Sequence, residues 1–267
     1  MARPEMPQLH IADPWPSGVW TLGLSYEHRR SADVPVEAGL VHAGSVEPLF
    51  EAVLANDPSE IEAVAAKTPG AAAQPLDADF FVADVPHMLY RGDTPLHLAA
   101  AGLRYDAAGA LLAADAEVNA VNRRGAAALH YACDPRPSSP TWDPPGQRRI
   151  IELLVSHGAE VDRPDRGGVT ALHRAVRARS PAAVAALLSA GADPCAATRK
   201  AGSTALHLAV APTGASGTAG ASEAQIEIVR MLLAAGATMA DVDSNGVPVV
   251  DRVQSQALRK AMAAGQL

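Results

Sequence analysis

Apolar positions return in one phase along most of the chain. Leu96, Leu129, Leu172 and Leu206 each stand immediately before a histidine and are followed, two or three residues past it, by small residues. Each then precedes a second apolar block, marked by Leu111-Leu112, Leu154-Val155, Leu187-Leu188 and Leu232-Leu233. Within these blocks the spacing is helical: Val184, Leu187 and Leu188 lie at i, i+3 and i+4. The pattern predicts pairs of short helices, each with one apolar face. Thr94, Thr170 and Thr204 precede the first helix of a pair, where a hydroxyl caps free N–H groups, and Pro95 suits the first turn. Gly158, Gly191 and Gly236 follow the second helix, where a left-handed residue stops it. Two such helices cannot bury their faces alone, so the pairs must stack on one another.

The repeated unit is explicit in four segments. Thr94-Pro95-Leu96-His97-Leu98-Ala99-Ala100 aligns with Ala127-Ala128-Leu129-His130-Tyr131-Ala132-Cys133. Thr170-Ala171-Leu172-His173-Arg174-Ala175-Val176 and Thr204-Ala205-Leu206-His207-Leu208-Ala209-Val210 follow in the same frame. The histidines lie 33, 43 and 34 residues apart. This motif resembles the ankyrin-repeat family, whose unit is a helix–turn–helix–hairpin of about 33 residues. The resemblance implies an all-α solenoid, an array of helix-turn-helix units with β-hairpin loops. It also implies that the recurring histidines bond to hairpin backbone.

The expected organisation is an N-terminal extension over 1–44 and a repeat domain over 45–267. About six repeats are expected, the first and last being degenerate caps. Residues 48–67 fit the frame with Phe50 in the histidine position, and Gly246 to Asp251 fit with Asp251 there. Insertions are expected at 68–91, 134–146 and 212–222; the last two fall between the helices of their repeats and should emerge on one edge. Ala127 departs from the capping threonine of the other copies. The extension carries Trp15, Trp20 and Tyr26, with a short strand expected near Trp20 to Leu24, and is read as packing on the first repeat.

Composition narrows the function classes. Lys+Arg 22 against Asp+Glu 29 gives a net charge of −7, which argues against nucleic-acid binding. The start of the chain has no continuous apolar stretch, and no run approaches the length of a membrane span, so a cytoplasmic location without membrane association is expected. The richness in Ala and Pro resembles a bacterial chain. Two cysteines, Cys133 and Cys195, make neither a disulfide framework nor a four-ligand zinc site. No phosphate loop, His-Glu-x-x-His, Gly-x-Ser-x-Gly or Cys-x-x-Cys occurs. No enzymatic activity, cofactor or metal is therefore expected. His97, His130, His173 and His207, one per repeat, are too far apart to share an ion. His157 sits at a common family position, while His10, His28, His42 and His87 have no repeat-based role.

Basic residues nevertheless collect at hairpin and inner-helix positions. The candidate partner-binding set is Arg123, Arg124, Trp142, Arg163, Arg166, Arg174, Arg177, Arg199 and Lys200, with Arg91 beside it. The resemblance places these on the concave side, with hairpin tips as fingers and the residue after each histidine on the palm. Arg174 and Arg177 lie one helical turn apart between two inserted loops, and Trp142 offers an aromatic anchor. This points to a non-enzymatic protein-binding module whose partner is another protein with an acidic patch. Inhibition, as by an immunity protein, is the specific version. The rival reading is a small-molecule-binding or catalytic pocket built by the inserted loops and the N-terminal arm.

Overall fold

The computed structural model describes residues 20–22, 47–77, 79–82, 85, 87–135, 142–211 and 222–267. Its helices form two stacked rows. The inner row contains α1 (Glu47–Ala55), α3 (Pro95–Ala101), α5 (Ala128–Ala132), α7 (Ala171–Arg177) and α9 (Ala205–Val210), and ends on a 3-10 turn at Val249–Arg252. The outer row contains α2 (Pro58–Lys67), α4 (Tyr105–Ala113), α6 (Pro144–Ser156), α8 (Pro181–Ser189), α10 (Ser222–Ala234) and α11 (Gln256–Ala263). Each helix packs on its partner and on the next helix of its row. Leu96, Leu129, Leu172 and Leu206, the in-phase leucines, are all buried between layers with Ile150, Leu154, Val184 and Leu187. Alanines such as Ala99, Ala175 and Ala209 are fully buried and let the inner helices approach closely. Gly158, Gly191 and Gly236 have positive φ and end their helices as expected; Asp115 takes that role after α4.

The repeating histidine supplies the polar bonds of the stack. In α3, His97 Nδ1 accepts the Thr94 N–H at 3.1 Å, and its Nε2 donates to Ala126 O of the next repeat at 3.1 Å. His130 repeats this between Ala127 N and Val169 O, and His173 between Thr170 N and Ser203 O. His207 does so between Thr204 N and Val247 O. The Thr94, Thr170 and Thr204 hydroxyls also lie within 3.0 Å of Nδ1. At Ala127 that hydroxyl is missing and only the backbone bond remains. Each ring thus satisfies an orphan helix-end donor and fastens the following unit.

The two long insertions start where an inner helix stops early. Gln147 Nε2 donates to Ala132 O and Pro135 O, and Gln225 Nε2 donates to Ala209 O and Ala211 O, so free helix-end carbonyls are paired in both cases. Buried Arg179, at φ 58° in the tight α7–α8 turn, adds bonds to Ala209 O and Ala211 O. The 68–91 segment contains strands β2 (Phe80–Val82) and β3 (His87–Leu89), paired antiparallel. Strand β1 (Trp20–Leu22) joins β2 in parallel, in the stretch where a strand was expected. This three-stranded sheet was not anticipated for the insertion itself. Trp15, Tyr26, His10, His28 and His42 lie outside the described residues, as do 136–141 and 212–221.

The histidine geometry carries a pH dependence. The Nδ1 bond needs a neutral ring, because a protonated Nδ1 cannot accept, whereas Nε2 donates to its carbonyl in either state. Burial pushes all four imidazoles below their ordinary value, His130 to about 4. The unfolded rings titrate near 6.5, so between pH 6.5 and 4 the unfolded chain binds more protons than the folded one. The stabilisation is complete above pH 6.5 and is lost as pH falls through that window. Thermal melts from pH 8 to pH 4 should show a falling Tm, with a slope of roughly 1.4 kcal/mol per pH unit for each ring that protonates on unfolding. A flat profile down to pH 4.5 would contradict the neutral ladder.

Candidate partner-binding surface

The hairpin tips are built from side chains that bond inward. Asn122 Oδ1 accepts the Arg124 and Ala126 N–H groups, Asp165 Oδ1 those of Gly167 and Val169, and Asp243 Oδ1 those of Asn245 and Val247. These turns hold each finger in one shape. Neighbouring fingers are then joined by backbone. Arg123 N donates to Arg91 O, Arg166 N to Arg124 O, Arg199 N to Gly167 O and Ser244 N to Ala201 O, at 2.9 to 3.0 Å. Close approach is possible because a glycine faces each junction. At Gly168 (φ 79°) an added Cβ would lie 2.5 Å from Arg199 N and 2.9 Å from Arg199 Cγ. The stem of Arg199 therefore lies across Gly168, as that of Arg166 lies across Gly125.

The exposed tips carry Arg91, Arg123, Arg124, Arg166, Arg199 and Lys200. Two of them are internally engaged. Arg123 is paired with Asp79 and lies over the Tyr90 ring; Arg124 donates to Tyr90 Oη at 2.7 Å. Burial raises the Asp79 carboxyl, but the Arg123 and Arg91 bonds outweigh it and hold it low. Half-buried Arg163 donates to Glu160 at 2.9 Å. Arg166, Arg199 and Lys200 have no acidic partner among the described residues. Chemically this is a row of available guanidinium and ammonium donors on a fixed backbone, suited to carboxylates.

The palm differs from expectation. Arg174 is not an open cation: its side chain is only 11% exposed, donating to Asp134 at 2.8 Å and approaching Asp165 at 3.5 Å. Its guanidinium lies over Tyr131, on which His87 stacks at 4.6 Å. His87 Nε2 lies 3.1 Å from the same Asp134 oxygen, while Nδ1 faces Met88 O. Burial alone would raise the Asp134 carboxyl; Arg174, His87 and Arg177 instead keep it well below the usual carboxylate range. Beneath this cluster, fully buried Asp93 accepts from Tyr131 Oη, Asn122 Nδ2 and Tyr90 N. The network ties the β2–β3 hairpin, the start of the second insertion, α7 and a finger together. Arg174 serves as an internal strut of this network, with its charge balanced by Asp134 and Asp165 inside the chain.

Arg177 stays exposed, 3.9 Å from Asp134. Trp142 is half-buried, with its indole N–H shielded and unpaired. Asp134, His87, Asp93 and Tyr131 are absent from the sequence-derived set. The one signal was that His87 fell outside the repeat. Cys133 is buried, which pushes its thiol up, and Cys195 is exposed. Among the described residues no His/Cys/Asp/Glu group is arranged to hold a metal, and no helix is long and apolar enough to cross a membrane.

Two rows of stacked short helices with linked finger turns define a helical repeat solenoid. Residues 146–246 match the family model for ankyrin repeats in three copies, and 91–123 match the single ankyrin repeat, together half of the chain. The chain belongs to the ankyrin-repeat family. It is 36% identical over 120 residues to the nuclear factor NF-kappa-B p105 subunit of Gallus gallus, covering 44% of this chain and 11% of that protein. It is 27% identical over 190 residues to the B-cell lymphoma 3 protein homolog of Mus musculus, covering 71% of this chain and 38% of that one. A match of 36% over 155 residues to the glycerophosphocholine phosphodiesterase gde1 of Schizosaccharomyces pombe (strain 972 / ATCC 24843) covers 58% of this chain and 12% of that enzyme. The matches thus span between about a tenth and two fifths of these relatives' lengths.

Two stability outcomes test the geometry. Gly168→Ala forces a side chain into left-handed backbone and against Arg199, and should cost about 2 kcal/mol in urea unfolding. Asp134→Asn leaves Arg174 with Asp165, at the longer distance, as its only carboxylate among the described residues and should cost about 1–3 kcal/mol by the same measurement. Wild-type midpoints in either variant would refute the corresponding contact.

Proposed function

We propose that this chain is a non-enzymatic protein-interaction module that holds an acidic partner against its fingers and the adjoining palm. The observation that carries the reading is the row Arg166, Arg199 and Lys200: cations without an acidic partner among the described residues, on fingers locked together by backbone bonds, in a chain of net charge −7. A pre-organised row loses little conformational freedom on binding, which favours affinity. Arg177, exposed at the palm, extends the positive surface inward. The half-buried Trp142 ring is the aromatic anchor of this reading. The name of one relative, a subunit of a nuclear factor, is in keeping with a fold that works by association. A rigid array laid over the acidic face of a partner masks that face. This is the physical basis for an inhibitory role of the immunity-protein kind.

The test is a charge reversal on the open cations. Arg166→Glu, Arg199→Glu and Lys200→Glu together should reduce capture of the partner from an extract of the source organism by about tenfold or more, with steep salt dependence in the wild type. The Tm should stay within about 2 °C, because no buried contact is removed. Undiminished capture by the triple variant overturns the finger assignment.

A further inference from the structure

We infer that the finger row is matched to an extended acidic segment in the polyproline II conformation, with a carboxylate at every third residue. This rests on the proposed function above and specifies the shape and register of the partner.

The register follows from how the fingers are joined. Arg123, Arg166 and Arg199 occupy the same position on successive fingers, since each donates its backbone N–H to the preceding tip. Arg166 and Arg199 also lay their stems over the preceding tip's glycine. Their backbones are therefore spaced by one repeat, which for packed helices is about 9 Å. A polyproline II segment has three residues per turn and a rise of about 3.1 Å, so every third side chain faces the same way at about 9 Å intervals. A β-strand presents same-face residues at about 7 Å and then about 13 Å, and falls out of step. An α-helix approaches the spacing only once per heptad, at about 10.5 Å. A helical partner would also need an apolar groove for its greasy face. Among the described residues the exposed large hydrophobics are only Val121, Val242 and Val250, which make no such groove.

The chemistry agrees with the geometry. A polyproline II backbone has no internal hydrogen bonds, so its carbonyls remain free for the guanidinium donors that a carboxylate leaves unused. The row ends at Ser244, which occupies the arginine position on the last finger and carries no charge. Three charged rungs accept acids at i, i+3 and i+6. The first rung is weakened by the Arg123–Asp79 pair, which leaves Arg166 and Arg199, flanked by Lys200, as the dominant pair.

Fluorescence anisotropy at low salt on the full chain tests this with labelled peptides of equal composition. One is four copies of Glu-Pro-Pro; the other has four Glu in one block followed by eight Pro. A 12-residue peptide with Glu at heptad spacing on an Ala-rich helix and a 12-nucleotide oligothymidylate complete the set. The Glu-Pro-Pro peptide should bind at least about fivefold more tightly than the block isomer, and Arg199→Glu should bring the two within about twofold. Equal binding of the isomers, absence of binding to both, or tighter binding of the helical peptide or the oligonucleotide overturns the inference. The proposed function fails differently: the charge-reversed triple variant would still capture the partner from extract. Loss of capture combined with equal peptide binding removes the register alone.

Discussion

The array depends on a neutral imidazole at the start of α3, α5, α7 and α9. One nitrogen accepts the cap N–H of its own unit and the other donates to a carbonyl of the next, so the ring is both a local cap and an inter-repeat bond. Four rings do this in series, and each is buried between layers that no single pair of helices could close. In a one-dimensional stack, stability is carried largely by such nearest-neighbour terms. The second continuous element is the backbone chain through the fingertips, which runs outside the apolar core and keeps neighbouring fingers in register.

Insertions are tolerated because they leave these two ladders intact. Both insertions follow in sequence on the ends of α5 and α9, at the edge opposite the histidine caps. The lost inner-helix bonds are replaced by one glutamine in each case, at equivalent places near the start of α6 and α10. Arg179 adds to the pairing after α9, its buried guanidinium donating to the Ala209 and Ala211 carbonyls instead of to a carboxylate. Where no loop intervenes, the helix pair turns through a single residue at positive φ: Asn56, Leu103 or Arg179.

The local elements were legible in the chain because their causes are local. The leucine–histidine phase, the capping threonines and the glycine stops each act within a few residues, and the helices lie where that pattern puts them. The palm was not legible for the opposite reason. Arg174 reads as a free cation only until Asp134, 40 residues earlier and the first residue of an insertion, is brought against it. Arg123 and Asp79 are 44 residues apart, again across irregular sequence. Charge pairing across inserted segments has no period, so no phase argument recovers it. The fingertip glycines were also overlooked as a set. Their role is set by the neighbouring finger, not by their own turn.

The contradiction between an acidic chain and a basic row dissolves once the finger acids are followed to their partners. Asp165 and Asp243 turn inward and accept backbone N–H groups, while Asp243 also pairs with Arg252. Asp79 and Asp134 are consumed by arginines of the network. What remains facing outward at the Arg166 and Arg199–Lys200 tips is cationic. At physiological ionic strength charges beyond about 8 Å are screened, so a partner at the fingertips meets this row and not the net −7 of the whole chain. On the Arg166 finger the acid that shapes the turn, Asp165, is engaged with backbone N–H groups, so shaping that turn and exposing its cation are one folding event.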